Sequence, residues 1–500
     1  MVFSCESLKK KITKELNASH VVSSSRRSES SSLRGFTLLV VAVGLVVRWA
    51  VAVGPHSGQG RPPMFGDYEA QRHWQEVTLE LPLRQWYANS SRNDLGYWGL
   101  DYPPLTAYHS WALGHAARAL DPAFVAPHHS RGVEHDLHRL FMRASVLVAE
   151  LAVYLPPLLL YTRDLKTNPV LAVLYPGLIL IDHGHFQYNC ISLGLTLAAV
   201  VALKRRRLAL GSVFFSLAIN YKQMSLYHSL PFFCYLLGVC LRQPTWAAAL
   251  SKLIKIALAV VLTFAFVWAP FLYPSPADVL QVLHRIFPVA RGLYEDKVAS
   301  FWCAISVVVK VQNVLPRTWL TLLCLVTTLG VVLPSNLLLL RQPNNKNLLL
   351  SLFISSLGFF LFSYHVHEKS ILLPATAAIL LLPHHPVSAT WFLAVSTYSL
   401  LPLMVKDKLV VQWAALLILF VAVAAKMMPP ANSAFLRTAR KVSLGGSIFL
   451  VLAQAVIAPP QRYPDIFPLL NSIFSCAHFL GFLTYAYWVQ FRTESKQHAN

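Results

Sequence analysis

Long apolar runs constrain this chain more than any other feature. From Phe36 onward, stretches of roughly 13 to 23 apolar residues recur almost to the C-terminus, close to the length a bilayer core requires. A soluble core cannot hide so many helices that are hydrophobic all round. Composition agrees, with 55% apolar and 13% charged residues and a mean hydropathy of +0.49. Soluble domains carry about 25% charged residues. The expected fold class is an all-α polytopic membrane protein.

The formal charge of +21 does not point to nucleic acid, because most of the cations stand in short loops between apolar segments. There they set topology and meet anionic membrane lipid. Residues 1–35 are polar, serine-rich and basic, and are expected to form a disordered cytosolic tail. Without an early apolar core or a small-residue cleavage site the tail is not a signal peptide, so the first apolar run is expected to stay as an anchor. It delivers a long loop, 55–139, to the opposite face. The run Lys204-Arg205-Arg206-Arg207 is the strongest cytosolic marker further along. Alternation from there gives about fourteen spans in one membrane domain, 36–490. A cytosolic tail follows at 491–500. The short apolar stretches 105–120 and 301–314 carry histidine, arginine or lysine and read as helices lying in the interface. The seven cysteines are scattered and form no CxxC pair. Asn89-Ser90-Ser91 is a glycosylation sequon in the long loop.

The polar segments 55–139, 182–189, 220–222, 274–317, 364–369 and 404–408 all fall on the face opposite the cytosol. In the first, Asp67 and Glu69 follow Gly66 and stand among Tyr68 and Trp74, and Asp101 comes later beside Tyr102. A carboxylate among aromatics is a possible general base for a sugar hydroxyl, with desolvation expected to raise its basicity. A solvated acid capping the next helix is the plainer alternative. His365, His367, Glu368 and Lys369 form a second cluster. Two histidines two residues apart cannot share a metal from a helix, so no metal or other cofactor is expected. Recognition of a phosphate by these cations, or simple snorkelling at the interface, remains open. Arg285, Arg291 and Lys297 bring three further cations to a face where topology gives them no reason to be. A phosphate-bearing ligand, or pairing with Glu295 and Asp296, would supply one.

The ordered segments Pro62–Trp74, Tyr97–Ala107, Asp182–Asn189, Ala290–Lys297 and His365–Lys369 together resemble the endoplasmic reticulum glucosyltransferases that use dolichyl-phosphate-glucose. The likeness runs from about Val51 to Tyr487. The wording Leu100-Asp101-Tyr102-Pro103-Pro104-Leu105-Thr106-Ala107 is similar to the members adding a first glucose rather than a second. This resemblance implies a GT-C fold with a large first lumenal loop, residence in the endoplasmic reticulum membrane and an active site on the lumenal side. It implies transfer of glucose to the nine-mannose oligosaccharide on dolichyl diphosphate, forming an α-1,3 bond with inversion. Asp67 stands at the family's catalytic-base position and Asp101 in its second acidic motif, with Glu69 a further candidate acid. Among the cations, His367 and Lys369 are favoured for the donor phosphate. A related second-glucose transferase and a polyprenyl-linked sugar transporter are the alternatives. The transporter needs polar residues along a path through the membrane, whereas these collect on one side.

Overall fold

The computed structural model describes residues 35–272, 276–287, 297–428 and 433–497. The chain packs as two units, 1–50 and 51–500. The first contributes most of an apolar helix, Gly35–Ala52. The second holds everything discussed below.

Among the described residues, ten helices are long and apolar enough to cross a membrane, and three shorter apolar helices, Val170–Phe186, Asn189–Lys204 and Leu208–Tyr221, stand beside them. The sequence led us to expect about fourteen spans; the shorter three fall below usual spanning length because polar residues end them early. The interior ones are hydrophobic all round, with twelve consecutive residues of Asn345–Phe362, Asn347 to Gly358, buried. Their small polar residues bond across helices: Asn336 Nδ2 donates to Ser355 Oγ at 2.8 Å, and Ser335 Oγ donates to Gln490 Oε1 at 2.7 Å.

Two helices widen into π-helical turns, Glu150–Tyr154 and Leu180–Phe186. Such turns redirect side chains without ending the helix. Here they are tied together by a buried pair, His183 Nε2 and Glu150 Oε2, 2.6 Å apart. Arg143 crosses the same region. Its guanidinium donates to the carbonyls of His183, Gly184, Gly54 and Pro55, joining the start of the first long loop to the second π turn.

The long loop is itself structured. Its helices Gly66–Glu80 and Pro104–Leu120 pack on one another, and a core of Trp74, Trp86, Tyr87, Leu100, Phe271 and Ile286 fastens them to the end of the Trp246–Leu272 helix. A buried Glu69–Arg72–Glu76 triad, with Ser130 and Gly132, holds the far part of the loop in place. The expected helix at 301–314 is two short ones, Phe301–Ile305 and Val311–Val314. The six described cysteines are free and buried.

Candidate active site

Asp67 is the second residue of the Gly66–Glu80 helix, and its place follows from a tight backbone crossing. Gly66 has φ +70°, and a Cβ there would meet the Ser57 carbonyl carbon and oxygen at 2.6 Å. Only glycine lets the two strands of chain approach so closely. Ser57 then does two jobs: its Oγ accepts from the Asp67 backbone N–H at 3.2 Å, capping the helix, and its N–H donates to the His185 carbonyl at 3.0 Å. The same contact that starts the helix therefore brings His185 to Asp67.

One oxygen of Asp67 takes three donors. Oδ2 accepts from Lys369 Nζ at 2.5 Å, from Gln187 Nε2 at 2.5 Å and lies 3.0 Å from His185 Nε2. Among the described residues, Oδ1 accepts no hydrogen bond. His185 is held from behind, its Nδ1 lying 2.5 Å from Asp407 Oδ2. Phe186 explains how His185 and Gln187 both reach one acid. Its backbone sits at φ +91°, a conformation bulky residues rarely adopt, so the chain turns sharply between its two neighbours. The Phe186 ring packs edge-on against Tyr68 at 4.9 Å, which holds the turn.

A second ring of contacts leads away from Asp67 through Gln187. Gln187 Oε1 accepts from Lys222 Nζ at 3.1 Å and from Asn189 Nδ2 at 3.0 Å, and Lys222 also donates to Asn189 Oδ1 at 2.6 Å. Asp182 accepts from Asn189 Nδ2 at 2.8 Å and the Cys190 N–H at 2.7 Å. A small cavity beside Lys222 is lined by Gln71, Tyr102, Thr106, Gln187, Tyr188 and Tyr221.

These surroundings fix the charge on Asp67. Burial alone would raise its pKa, but the Lys369 ammonium and the His185 imidazole outweigh it and hold the carboxyl well below the usual range. That reverses the expectation of a base made stronger by aromatic neighbours. Tyr68 and Trp74 are occupied elsewhere, with Tyr68 Oη 3.0 Å from His138 Nδ1 and Trp74 Nε1 donating to the Trp98 carbonyl at 2.9 Å. Burial likewise works against the Lys369 charge, and Asp67 and Glu368 more than restore it, leaving its pKa raised.

The sequence model of the ALG6, ALG8 glycosyltransferase family matches residues 44–485. The chain belongs to that family. Among its relatives are a chicken (Gallus gallus) dolichyl pyrophosphate Man9GlcNAc2 alpha-1,3-glucosyltransferase, 47% identical over 486 residues covering 89% of this chain and 95% of the relative. A probable dolichyl pyrophosphate Man9GlcNAc2 alpha-1,3-glucosyltransferase of Drosophila melanogaster is 46% identical, covering 92% of this chain and 100% of its own length. A solved structure of ArnT from Cupriavidus metallidurans in the apo state aligns with a TM-score of 0.40 at 14% identity, over 91% of this chain and 77% of that one.

Within this glycosyltransferase, the structure gathers some of the residues the sequence nominates and disperses others. Asp67 and Lys369 meet, but Lys369 is on the acid itself, not free for a phosphate as expected. Glu69 is turned away: its two oxygens accept from Arg72, Tyr97 Oη and the Gly132 N–H, and it is 1% exposed, so it serves the loop's structure. Asp101 stands nearer, since its backbone carbonyl accepts from Gln223 Nε2 at 3.1 Å and its charge acts on Lys222. His367 Nδ1 lies 2.9 Å from Glu368 Oε2. Burial would raise the Glu368 pKa, but His367 and Lys369 bring it down to about 2. His365 turns the chain there at φ +61°.

Arg285 donates to the carbonyls of Gly99 and Leu100 at 2.9 and 3.3 Å, so it braces the loop before Asp101 and is not spare for a ligand. Lys297 is 3.5 Å from Asp465 on an exposed edge. Arg291, with Glu295 and Asp296, lies outside the described residues. Asn89 is exposed, its side-chain oxygen accepting from the Leu95 N–H at 3.2 Å. The site residues that sequence reasoning did not single out are His185, Gln187, Lys222 and Asp407. Asp407 had a signal of its own, as an acid placed between the apolar helices Pro386–Lys406 and Val410–Met427.

Proposed function

We propose that the group around Asp67 transfers the first glucose onto the nine-mannose oligosaccharide of dolichyl diphosphate, taking it from dolichyl-phosphate-glucose and forming an α-1,3 bond with inversion. The observation that carries this reading is the asymmetry of Asp67. Three donors fix Oδ2, and Oδ1 is left to meet a hydroxyl. The mannose 3-hydroxyl oxygen attacks C1 of the β-linked glucose as the C1–O bond to phosphate breaks. The electron pair of that bond leaves with dolichyl phosphate, and the hydroxyl proton passes to Asp67 Oδ1.

A weakly basic carboxylate suits this step. The transition state at C1 is cation-like, so the attacking hydroxyl becomes strongly acidic only as its bond to carbon forms, and a base that is always ionised can then take the proton. His185 and Lys369 keep Asp67 ionised, and the fixed Oδ2 prevents the carboxylate from rotating out of line. The chain needs no second nucleophile, since a covalent glucosyl intermediate would retain configuration. Both substrates are lipid-anchored, which suits a site assembled from helix ends. In this reading that end faces the lumen of the endoplasmic reticulum and both termini are cytosolic.

The test is transfer by purified protein from radiolabelled dolichyl-phosphate-glucose to two acceptors, one with nine mannoses and one already carrying a glucose. Product only from the first, with an α-1,3 linkage, is expected. Glucose added only to the second acceptor assigns the later step, and no transfer to either rejects the reading.

A further inference from the structure

An inverting displacement puts the base and the leaving group on opposite sides of one carbon. A cation bound to the base carboxylate therefore cannot also receive the leaving phosphate across the width of a sugar. Lys369, 2.5 Å from Asp67 Oδ2, is on the wrong side. Arg285 is committed to backbone carbonyls, His367 lies against Glu368 and Lys297 against Asp465.

Lys222 differs from all of these. It follows the Leu208–Tyr221 helix, and its position is set from three sides. Thr106 Oγ donates to the Tyr221 carbonyl, Tyr221 Oη lies 3.0 Å from His109 Nδ1, and Gln223 bonds the carbonyls of Asp101 and Ile286. Its ammonium donates to two neutral amide oxygens, on Gln187 and Asn189, and lies 4.9 Å from the centre of the Tyr102 ring. The oxygens of Asp182 accept from Asn189 and the Cys190 N–H. Among the described residues, no carboxylate lies within ion-pair distance of Lys222. A partly buried ammonium without a contacting anion is costly unless a ligand supplies one.

The spacing to Asp67 is also suitable. Gln187 alone separates the two, its Nε2 on Asp67 and its Oε1 on Lys222. On its other side Lys222 borders the small cavity, whose walls offer the Gln71 and Gln187 amides, the Thr106 hydroxyl and the Tyr102, Tyr188 and Tyr221 rings. Aromatic faces and amides are the groups that hold sugar rings.

We propose that Lys222 is the cation that receives the leaving phosphate of the polyprenyl-phosphate sugar. This rests on the reaction proposed above. As the C1–O bond breaks, the phosphate oxygen gains the electron pair and its new charge is met by the Lys222 ammonium, at the far side of the sugar from Asp67. Gln187 measures the gap and ties the two ends together.

The experiment measures donor and acceptor kinetics, together with inhibition by a short-chain dolichyl phosphate as the product probe. Lys222→Met should raise the donor KM and the inhibition constant at least about tenfold, the worth of one charge-assisted hydrogen bond. The acceptor KM should move less than about twofold, and Lys222→Arg should recover most of the loss. Lys369→Met should lose turnover yet remain inhibited at the wild-type concentration. If Lys222→Met fails to fold, Lys222→Gln carries the same readout while keeping a hydrogen bond to Asn189. Wild-type inhibition of a folded, neutral Lys222 variant overturns this assignment and leaves the reaction standing. A wild-type enzyme that uses a different donor overturns the reaction, and the assignment with it.

Discussion

Lys369 Nζ and Asp67 Oδ2 lie 2.5 Å apart although 302 residues separate them in the chain. This pair joins the first long loop to the turn after the Asn345–Phe362 helix. It also sets the protonation state of the proposed base. Removing the ammonium by Lys369→Met takes away the largest influence lowering the Asp67 pKa, so that pKa rises. Asp67 is active when ionised, so the variant should lose kcat/KM at acidic pH where the wild type does not. The measurement is kcat/KM against pH for both proteins. Superimposable acid limbs would show that the pair does not control the base.

Asp407 acts through His185. With Nδ1 of the imidazole 2.5 Å from Asp407, the other ring nitrogen is directed to Asp67. Asp407→Asn weakens that hold and lets the ring turn. Turnover should fall roughly tenfold or more, with both KM values nearly unchanged. A variant in which KM rises and kcat stays would instead place Asp407 at a substrate.

Glu69 is two residues from Asp67 and behaves differently. Glu69→Gln leaves Arg72 buried with half its partners, and breaking such a pair costs about 3–5 kcal/mol. Thermal unfolding in detergent should show a clearly lower midpoint, while the folded fraction keeps most of its turnover. Unchanged stability with lost activity would return Glu69 to the reaction.

A basic limb is expected from Lys222. Burial and the nearby Lys369 charge push its pKa down to about 8, against the pull of Asp182, Asp67 and Asp101. The charged form is the one that meets a phosphate, so donor kcat/KM should fall as pH rises through about 8. Lys222→Arg stays charged and should lack this limb. If both proteins decline together, another group is responsible.

Much of this was legible in the chain itself. The fold class follows from apolar runs that no soluble core could hide, and the segments around Asp67, Asp182, Lys222 and Lys369 could each be read as polar interruptions. Their pairing could not. Which cation meets Asp67 depends on a sharp turn at Phe186 and a backbone crossing at Gly66, neither of which leaves a periodic signal. Glu69 misled for the same reason, because Arg72 lies one turn away on its helix and nothing in the spacing tells a buried pair from a catalytic acid. Arg285 looked available only because its backbone partners, Gly99 and Leu100, are distant in sequence.

The central claim is that Asp67 takes the acceptor's proton. Asp67→Asn keeps the shape of the side chain and removes its capacity as a base, and losses of about 10²–10⁴ are usual for such groups. The decisive measurement is single-turnover transfer from dolichyl-phosphate-glucose by purified Asp67→Asn, with binding of a short-chain dolichyl phosphate measured on the same preparation. We predict a rate lower by at least about 10² with binding retained. Wild-type transfer by that variant would contradict the account.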